Sequence, residues 1–230
     1  MKKRIGVQGF LIFVAVLVTI LFFKYLLPKR QDGTVKIFLD TLGILLVAFG
    51  FLLRIASRGY KSEHSANSQN LVGKGPYALM RNPMYLGTFL IGIGVSLVIF
   101  SWWVCLVFGF VFLLIYIPQI KKEEAILLKR FGSEYKRYCQ ITPRFFPNPI
   151  ISFKKGLKNY IFLKWQWGKK ELPSLIGVIV LIIAAGAWED VRLFGHIGYK
   201  KELFDFFMIL FYLAILTILF YEKENAPKKV

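Results

Sequence analysis

Long apolar runs alternate with polar, mostly basic segments along this chain. A helix that crosses the hydrocarbon core of a bilayer needs about 20 consecutive, mainly apolar residues. Runs of roughly this length predict about six membrane-spanning helices, at residues 5–27, 37–56, 85–100, 102–118, 173–188 and 203–221. Little more than Ser101 separates the third run from the fourth, so this pair predicts a tight helical hairpin.

The composition supports a membrane protein and excludes several other classes. The chain is 56% hydrophobic and only 19% charged, yet 31 Lys and Arg against 13 Asp and Glu give a net charge of +18. An average soluble domain is about 25% charged. A disordered chain, a disulfide-rich secreted domain and an ordinary cytosolic enzyme are therefore excluded. Cys105 lies in an apolar run and Cys139 in a basic one, which argues against a disulfide.

The basic residues predict how the chain is oriented, because Lys and Arg accumulate in cytoplasmic loops. With the N-terminus inside, the cytoplasmic segments 1–4, 54–81, 119–172 and 222–230 hold 24 of the 31 Lys and Arg residues. We expect an integral protein of a bacterial inner membrane, with both termini cytoplasmic. The two longest polar segments would share the cytoplasmic side. Since most of the charge is explained by topology, we expect no nucleic-acid partner.

The polar segment before the third span reads GKGPYALMRNPMYLG, from residue 73 to residue 87. Gly75-Pro76 is a turn signal, and Pro83 suits the first turn of a helix, where its missing N–H costs nothing. Arg81 and Asn82 would therefore lie at the mouth of the third span, where the free N–H groups of the helix also point.

Tyr85 and Gly87 follow in the first turns of the same helix, and Gly87 leaves room for close backbone approach. Together with Tyr77 they predict a small-molecule site at the membrane surface. An alternative is that Arg81 reaches lipid phosphates and that Tyr77 and Tyr85 belong to an interfacial aromatic belt.

A second polar stretch, 121–138, predicts a helix after the fourth span. One face of it repeats at spacings of three and four and consists of Glu124, Leu127, Leu128, Phe131, Tyr135 and Tyr138. Glu124 therefore points with the apolar face, and Glu123 lies beside it. A carboxylate there is costly unless it is paired or binds a ligand. The alternative to a ligand is an ion pair with Lys121 or with a nearby arginine.

The helix should end before Thr142-Pro143, because a residue that precedes proline avoids the helical region. Arg144 then returns a cation toward the membrane surface, for a lipid phosphate or a ligand carboxylate. Gly92 and Gly94 are best explained by close helix packing. No His or Cys cluster has the spacing of metal ligands, so we expect no metal.

In this order, GKGPYALMRNPMYLG, an apolar hairpin and KKEEAILLKRFGSEYKRYCQITPRFFP resemble the isoprenylcysteine carboxyl methyltransferase and phospholipid methyltransferase superfamily. Members carry a pattern close to G-P-Y-x-x-x-R-H-P-x-Y-x-G, then a Glu-Glu pair and F-G-x-x-Y-x-x-Y. The resemblance covers residues 73–147. The matching positions are Tyr77, Arg81, Pro83, Tyr85, Gly87, Glu123, Glu124, Phe131, Gly132, Tyr135, Tyr138 and Arg144.

The resemblance implies an all-α, polytopic transmembrane bundle with a cytosolic helical segment that binds the cofactor. It implies an enzyme that moves a methyl group from S-adenosylmethionine to a lipidic or amphiphilic acceptor, such as an isoprenylcysteine carboxylate or a phospholipid amine. The chain would divide into a two-span region, 1–72, a methyltransferase core, 73–150, and a basic linker with two further spans, 151–230.

The resemblance also implies roles for single residues. Glu124 with Glu123 would hold the cofactor ammonium or ribose hydroxyls, and Arg81 or Arg144 would pair with its carboxylate. The cofactor-binding positions would be Tyr77, Arg81, Asn82, Tyr85, Gly87, Glu123, Glu124 and Tyr135. The catalytic positions would be Arg81, Asn82 and Arg144. Family members usually have His where this chain has Asn82, and Asn hydrogen-bonds but does not titrate near neutral pH.

Two other functions compete with this interpretation. Membrane sterol reductases carry a similar R-H-P-x-Y-x-G stretch and use a nicotinamide cofactor, but the Glu-Glu pair and the F-G-x-x-Y helix favour the methyltransferase. A non-catalytic relative is the second alternative, and Asn82 is the feature that favours it.

Overall fold

We describe the protein from a computed structural model, over residues 33–65, 69–147, 160 and 163–194. Every regular element in these ranges is helical, as predicted. The helices are α1 (Gly33–His64), α2 (Pro76–Leu79), α3 (Pro83–Ile99), α4 (Trp102–Ile141), α5 (Trp165–Gly168) and α6 (Leu172–Phe194). The chain divides into two compact units, Met1–Ile176 and Gly177–Val230.

Three of the described helices, α1, α4 and α6, are long and apolar enough to cross a membrane, and α3 is apolar but only 17 residues long. Helix α3 ends at Ile99 and α4 begins at Trp102, so the predicted hairpin is confirmed. The predicted spans 5–27 and 203–221 lie outside the described residues. The count of six spans therefore stays a prediction.

Helices α1 and α3 pack so closely that their backbones touch through glycines. A Cβ atom at Gly50 would lie 2.7 Å from the Gly87 carbonyl oxygen, and one at Gly43 would lie 2.7 Å from that of Gly94. In each helix the two glycines are seven residues, or about two turns, apart, so they share a face. Small residues at such a face let membrane helices approach closely. The packing role predicted for Gly94 is confirmed.

Helix α4 is longer than the sequence indicated, because the fourth span and the predicted helix over 121–138 form one 40-residue element. Gly132 interrupts it with a positive φ of 50° and a ψ of −118°. Such a backbone conformation is open to glycine at little steric cost. The helix ends at Ile141, directly before Thr142-Pro143, as predicted.

The polar loop between α1 and α3 is held down by buried side chains. Leu79 and Met80 join Leu53 of α1 and Leu86 of α3 in one apolar cluster. The backbone N–H of Arg81 also donates to the carbonyl oxygen of Pro143 at 2.8 Å. These contacts bring the first motif against the end of α4, although they are about 60 residues apart along the chain.

Candidate functional site

A cavity of about 310 Å³ lies between the polar end of α1, the following loop with α2, the first turn of α3 and the polar half of α4. Its walls combine five charged side chains with aromatic and apolar ones. The lining residues are Lys61, Ser65, Asn70, Leu71, Val72, Tyr77, Arg81, Asn82, Pro83, Met84, Tyr85, Glu123, Glu124, Ile126, Leu127, Arg130, Phe131, Tyr135 and Tyr138. The two motifs found in the sequence therefore face one another across a single space.

The cavity includes every residue that the resemblance assigned to the cofactor except Gly87. Gly87 lies outside it and faces α1, where a Cβ atom would be 2.7 Å from both the Arg54 side chain and the Gly50 carbonyl oxygen. The close backbone approach that Gly87 permits is therefore that of helix α1. Arg144 and Leu128 also lie outside the cavity wall.

Glu124 is the centre of an ion cluster that joins the two motifs. Arg144 donates to it from Nη2 at 2.6 Å and from Nε at 3.2 Å, and Arg81 donates from Nη1 at 3.2 Å. The Asn82 amide lies 3.5 Å from the same carboxylate. The alternative of an ion pair with a nearby arginine is therefore confirmed for Glu124. Two guanidinium groups share one carboxylate, which leaves the cluster with a net positive charge.

Arg81 is the arginine of this cluster that lines the cavity. Besides Glu124, its Nη1 donates to the sulfur of Cys139 at 3.2 Å. Its Nε is buried and has no hydrogen-bond partner among the described residues. A buried donor without a partner is costly.

Glu123 has a different environment from its neighbour. The Tyr85 hydroxyl donates to its Oε1 at 2.7 Å, and the Gln119 amide donates to the same oxygen at 2.8 Å. Sequence reasoning missed Gln119, although it lies one helical turn before Glu123, where side chains meet on a helix. Both hydrogen bonds end on Oε1, so Oε2 faces no donor in the described part of the chain.

Three tyrosines form the aromatic side of the cavity. Burial raises the pKa of Tyr77, and burial likewise raises the pKa values of Tyr135 and Tyr138, with the Glu124 carboxylate adding to the effect at Tyr135. The Tyr138 hydroxyl donates to the Tyr77 carbonyl oxygen at 2.7 Å, which ties the end of α4 to α2. These phenols therefore stay protonated at physiological pH, so each keeps its O–H group.

Asn82 occupies the N-cap of α3, and its side chain reaches away from the helix. Its backbone carbonyl oxygen accepts from the N–H of Leu86 at 3.2 Å, while its amide nitrogen donates to the Arg144 carbonyl oxygen at 3.2 Å. The side chain therefore ties the start of α3 to the segment after α4. That task needs a donor and no proton transfer.

Two cations in the wall, Lys61 and Arg130, were not singled out by the sequence. Lys61 lies in the last turn of α1 and belongs to no motif, so only the fold brings it here. Arg130 precedes Phe131 within the second motif, on a face that the apolar spacing had not included. Both add positive charge around the two carboxylates.

Several known proteins are similar in sequence to this chain. The sequence model of the family described as phospholipid methyltransferase matches residues 39–134. A cobalt-zinc-cadmium resistance protein of Cupriavidus metallidurans is 34% identical over 67% of this chain and 68% of its own length. A mouse protein-S-isoprenylcysteine O-methyltransferase is 30% identical over 52% of this chain and 44% of its own length. Residues 39–134 of the chain therefore belong to the phospholipid methyltransferase family.

The matched range covers most of α1, all of α3 and most of α4, which supply most of the cavity wall. A nickel-cobalt-cadmium resistance protein of Alcaligenes xylosoxydans xylosoxydans is a further relative, 27% identical over 70% of this chain and 73% of its own length. No solved structure matches the chain.

Proposed function

We propose that this protein transfers a methyl group from S-adenosylmethionine to a lipidic or amphiphilic acceptor at the membrane surface. The observation that carries the proposal is the cavity at the polar end of the α3–α4 hairpin, where both motifs meet. Its position next to apolar, span-forming helices suits an acceptor that stays partly in the bilayer.

The cavity fits the methyl donor in size and in chemistry. Small-molecule sites have volumes of about 300–1,000 Å³, and this one has about 310 Å³. S-adenosylmethionine carries an ammonium, a carboxylate, ribose hydroxyls, an adenine and a sulfonium. Within the described residues, Glu123 Oε2 accepts no hydrogen bond and Arg81 Nε donates none. The first suits the ammonium or the hydroxyls, and the second suits the carboxylate. Tyr85 and Tyr135 offer aromatic faces, which favour a cation.

The bound donor would supply an electrophilic methyl on a sulfonium: the acceptor would form a bond to the methyl carbon in line with the breaking C–S bond, and S-adenosylhomocysteine would leave as a neutral thioether. Proximity and alignment carry much of the rate of such a step. The protein's contribution is therefore to hold the methyl donor and the acceptor in alignment. Glu124 fixes Arg81, while Arg144 from outside the cavity and Asn82 from its wall fix Glu124. A carboxylate or thiolate acceptor needs no base, so Asn82 in place of His is compatible with activity.

The test is transfer of labelled methyl from S-adenosylmethionine to a membrane lipid extract by the purified protein. We expect label in the lipid fraction, and much less with Glu124→Gln, because that variant leaves two arginines without their counter-ion. S-adenosylhomocysteine should raise the melting temperature, since a ligand that binds only the folded state stabilises it. Stabilisation by NADPH instead would support the reductase, and no response to either ligand would support a non-catalytic protein.

Two of the relatives are named for resistance to heavy metals. The part of the chain that the structure describes contains no group of three or more His, Cys, Asp or Glu side chains that could hold a metal ion. The proposal therefore concerns methyl transfer alone.

A further inference from the structure

A short segment outside the matched family region packs against residues that support the wall of the cavity. It runs from Lys164 to Glu171, contains α5, and is called the α5 clasp below. None of its residues lines the cavity. Yet Glu171 is fully buried, with 0% of its surface exposed, and Trp167 is 5% exposed. A buried carboxylate that the proposed chemistry does not use calls for an explanation.

Glu171 is connected by hydrogen bonds to the first turn of α3. It accepts from Arg54 and Arg58, whose nearest nitrogens lie 3.0 and 2.7 Å from its oxygens. Arg54 also donates from Nη1 to the Thr88 hydroxyl at 3.0 Å, and that hydroxyl donates to the Met84 carbonyl oxygen at 3.0 Å. Met84 lines the cavity. The chain of contacts therefore ends in the turn that also carries Tyr85.

Trp167 provides a second connection, to the tyrosine wall. Its ring packs in one buried cluster with Tyr60 and Tyr77, and Tyr77 lines the cavity. The indole N–H donates to Glu63 of α1 at 2.7 Å. The ring lies directly on Gly59, where an added Cβ atom would collide with it. The α5 clasp thus contacts residues that support the first turn of α3 and the tyrosine wall, but it does not itself line the cavity.

We infer that the α5 clasp is a positioning element for the methyl-donor cavity, through Glu171, Arg54 and Thr88 on one side and Trp167 and Tyr77 on the other. This inference rests on the proposed function. Glu171 and Trp167 are positioning residues, because they act on the cavity only through other side chains. The clasp extends the site beyond the family motifs, which end before residue 148.

Stability alone does not account for this arrangement. Glu171 is fully buried and Arg54 mostly so, while Arg58 stays 43% exposed. Taking the buried charges out of water costs about as much as their attraction returns, and apolar replacements are often as stable. What the ion cluster adds is a fixed geometry. Arg54 is held by Glu171 so that its remaining Nη1 meets Thr88, and Thr88 in turn meets the first turn of α3.

Thr88 offers the sharpest test, since Thr88→Val keeps the shape of the side chain and leaves the Glu171 ion pairs in place. Losing its hydroxyl should raise the Kd for S-adenosylhomocysteine about fivefold, as expected for one hydrogen bond. Thr88→Ser keeps the hydroxyl and should restore the affinity to within about twofold. Glu171→Gln should raise the same Kd more than Thr88→Val, provided that it folds. The KM for the acceptor should change less than the KM for the donor in each case.

Val47→Ala is the control for general destabilisation. Val47 is buried at the other end of the α1–α3 interface, against Gly94, so its truncation should lower the melting temperature without changing the Kd. The inference is overturned if Thr88→Val binds like the wild type, or if Val47→Ala weakens binding equally. If the wild type neither binds S-adenosylhomocysteine nor transfers methyl groups, the proposed function itself has failed.

Discussion

At the scale of single residues, two adjacent glutamates have separate environments. Glu123 accepts hydrogen bonds from Tyr85 and Gln119, both on Oε1. Glu124 uses both oxygens on Arg81 and Arg144. The sequence predicted that both carboxylates belong to the site. It could not divide their roles, because the arginines that bind Glu124 come from residues 43 positions before it and 20 positions after it.

These environments predict different outcomes for Glu123→Gln and Glu124→Gln. Glu123→Gln should weaken S-adenosylhomocysteine binding about tenfold, because one hydrogen bond to a charged group is lost, with little change in melting temperature. Glu124→Gln should lower the affinity and the melting temperature together, since two arginines lose their counter-ion. Calorimetric titration and thermal unfolding separate the two effects.

Glu134→Gln is the matched control for both variants, because Glu134 lies on the exposed face of the same helix. It should leave affinity and melting temperature unchanged. Equal losses in all three variants would mean that net charge, and not the geometry of the cavity, governs binding.

Asn82→His tests the position where this chain departs from its family. The imidazole can replace the amide as a donor to the Arg144 carbonyl oxygen, so methyl transfer should persist. Histidine titrates between about pH 5 and 8, whereas asparagine does not. The ratio of the variant's rate to the wild-type rate should therefore change across that range. A ratio that stays constant with pH would show that this side chain has no influence on the transfer step.

At the scale of elements, the sequence predicted the helices better than their junctions. The hairpin, the start of α3 at Pro83 and the end of α4 at Ile141 follow from proline and apolar spacing, and all are confirmed. The continuity of α4 and its interruption at Gly132 were missed. Glycine at that position allows a break but does not require one. The break lies between Phe131 and Tyr135, both of which line the cavity.

Gly132→Ala should therefore act through the backbone. An added Cβ atom meets nothing within 4 Å, so the cost is that of a backbone conformation, φ 50° with ψ −118°, that side chains rarely adopt. Such a conformation costs about 1–3 kcal/mol for a residue other than glycine. We expect a lower melting temperature and weaker cofactor binding, because Tyr135 and Tyr138 follow the break. Thermal unfolding with and without S-adenosylhomocysteine measures both.

Gly109→Ala, in the same helix, is the matched control. Its backbone is helical, and an added Cβ atom would make only ordinary contacts, at 3.9 Å or more. It should be neutral or slightly stabilising, since alanine favours a helix. A loss equal to that of Gly132→Ala would argue against backbone strain as the cause.

At the scale of the whole molecule, contacts support one part of the predicted topology. Arg81 meets Glu124, and Glu63 meets Lys164 at 2.6 Å, so the polar segments after α1 and α4 lie together at one end of the apolar helices. The charge bias predicted this shared side. The same bias predicts that this end faces the cytoplasm.

Orientation can be tested by labelling single cysteines with a membrane-impermeant maleimide, after both native cysteines are replaced by serine. Ser133→Cys lies on the exposed polar half of α4 and Thr34→Cys near the exposed start of α1. The excess of Lys and Arg predicts that intact cells label Thr34→Cys and that only inverted vesicles label Ser133→Cys. Both sites should react in detergent. The reverse pattern would place the cavity outside the cell, away from cytosolic S-adenosylmethionine, and would contradict the proposed function together with the topology.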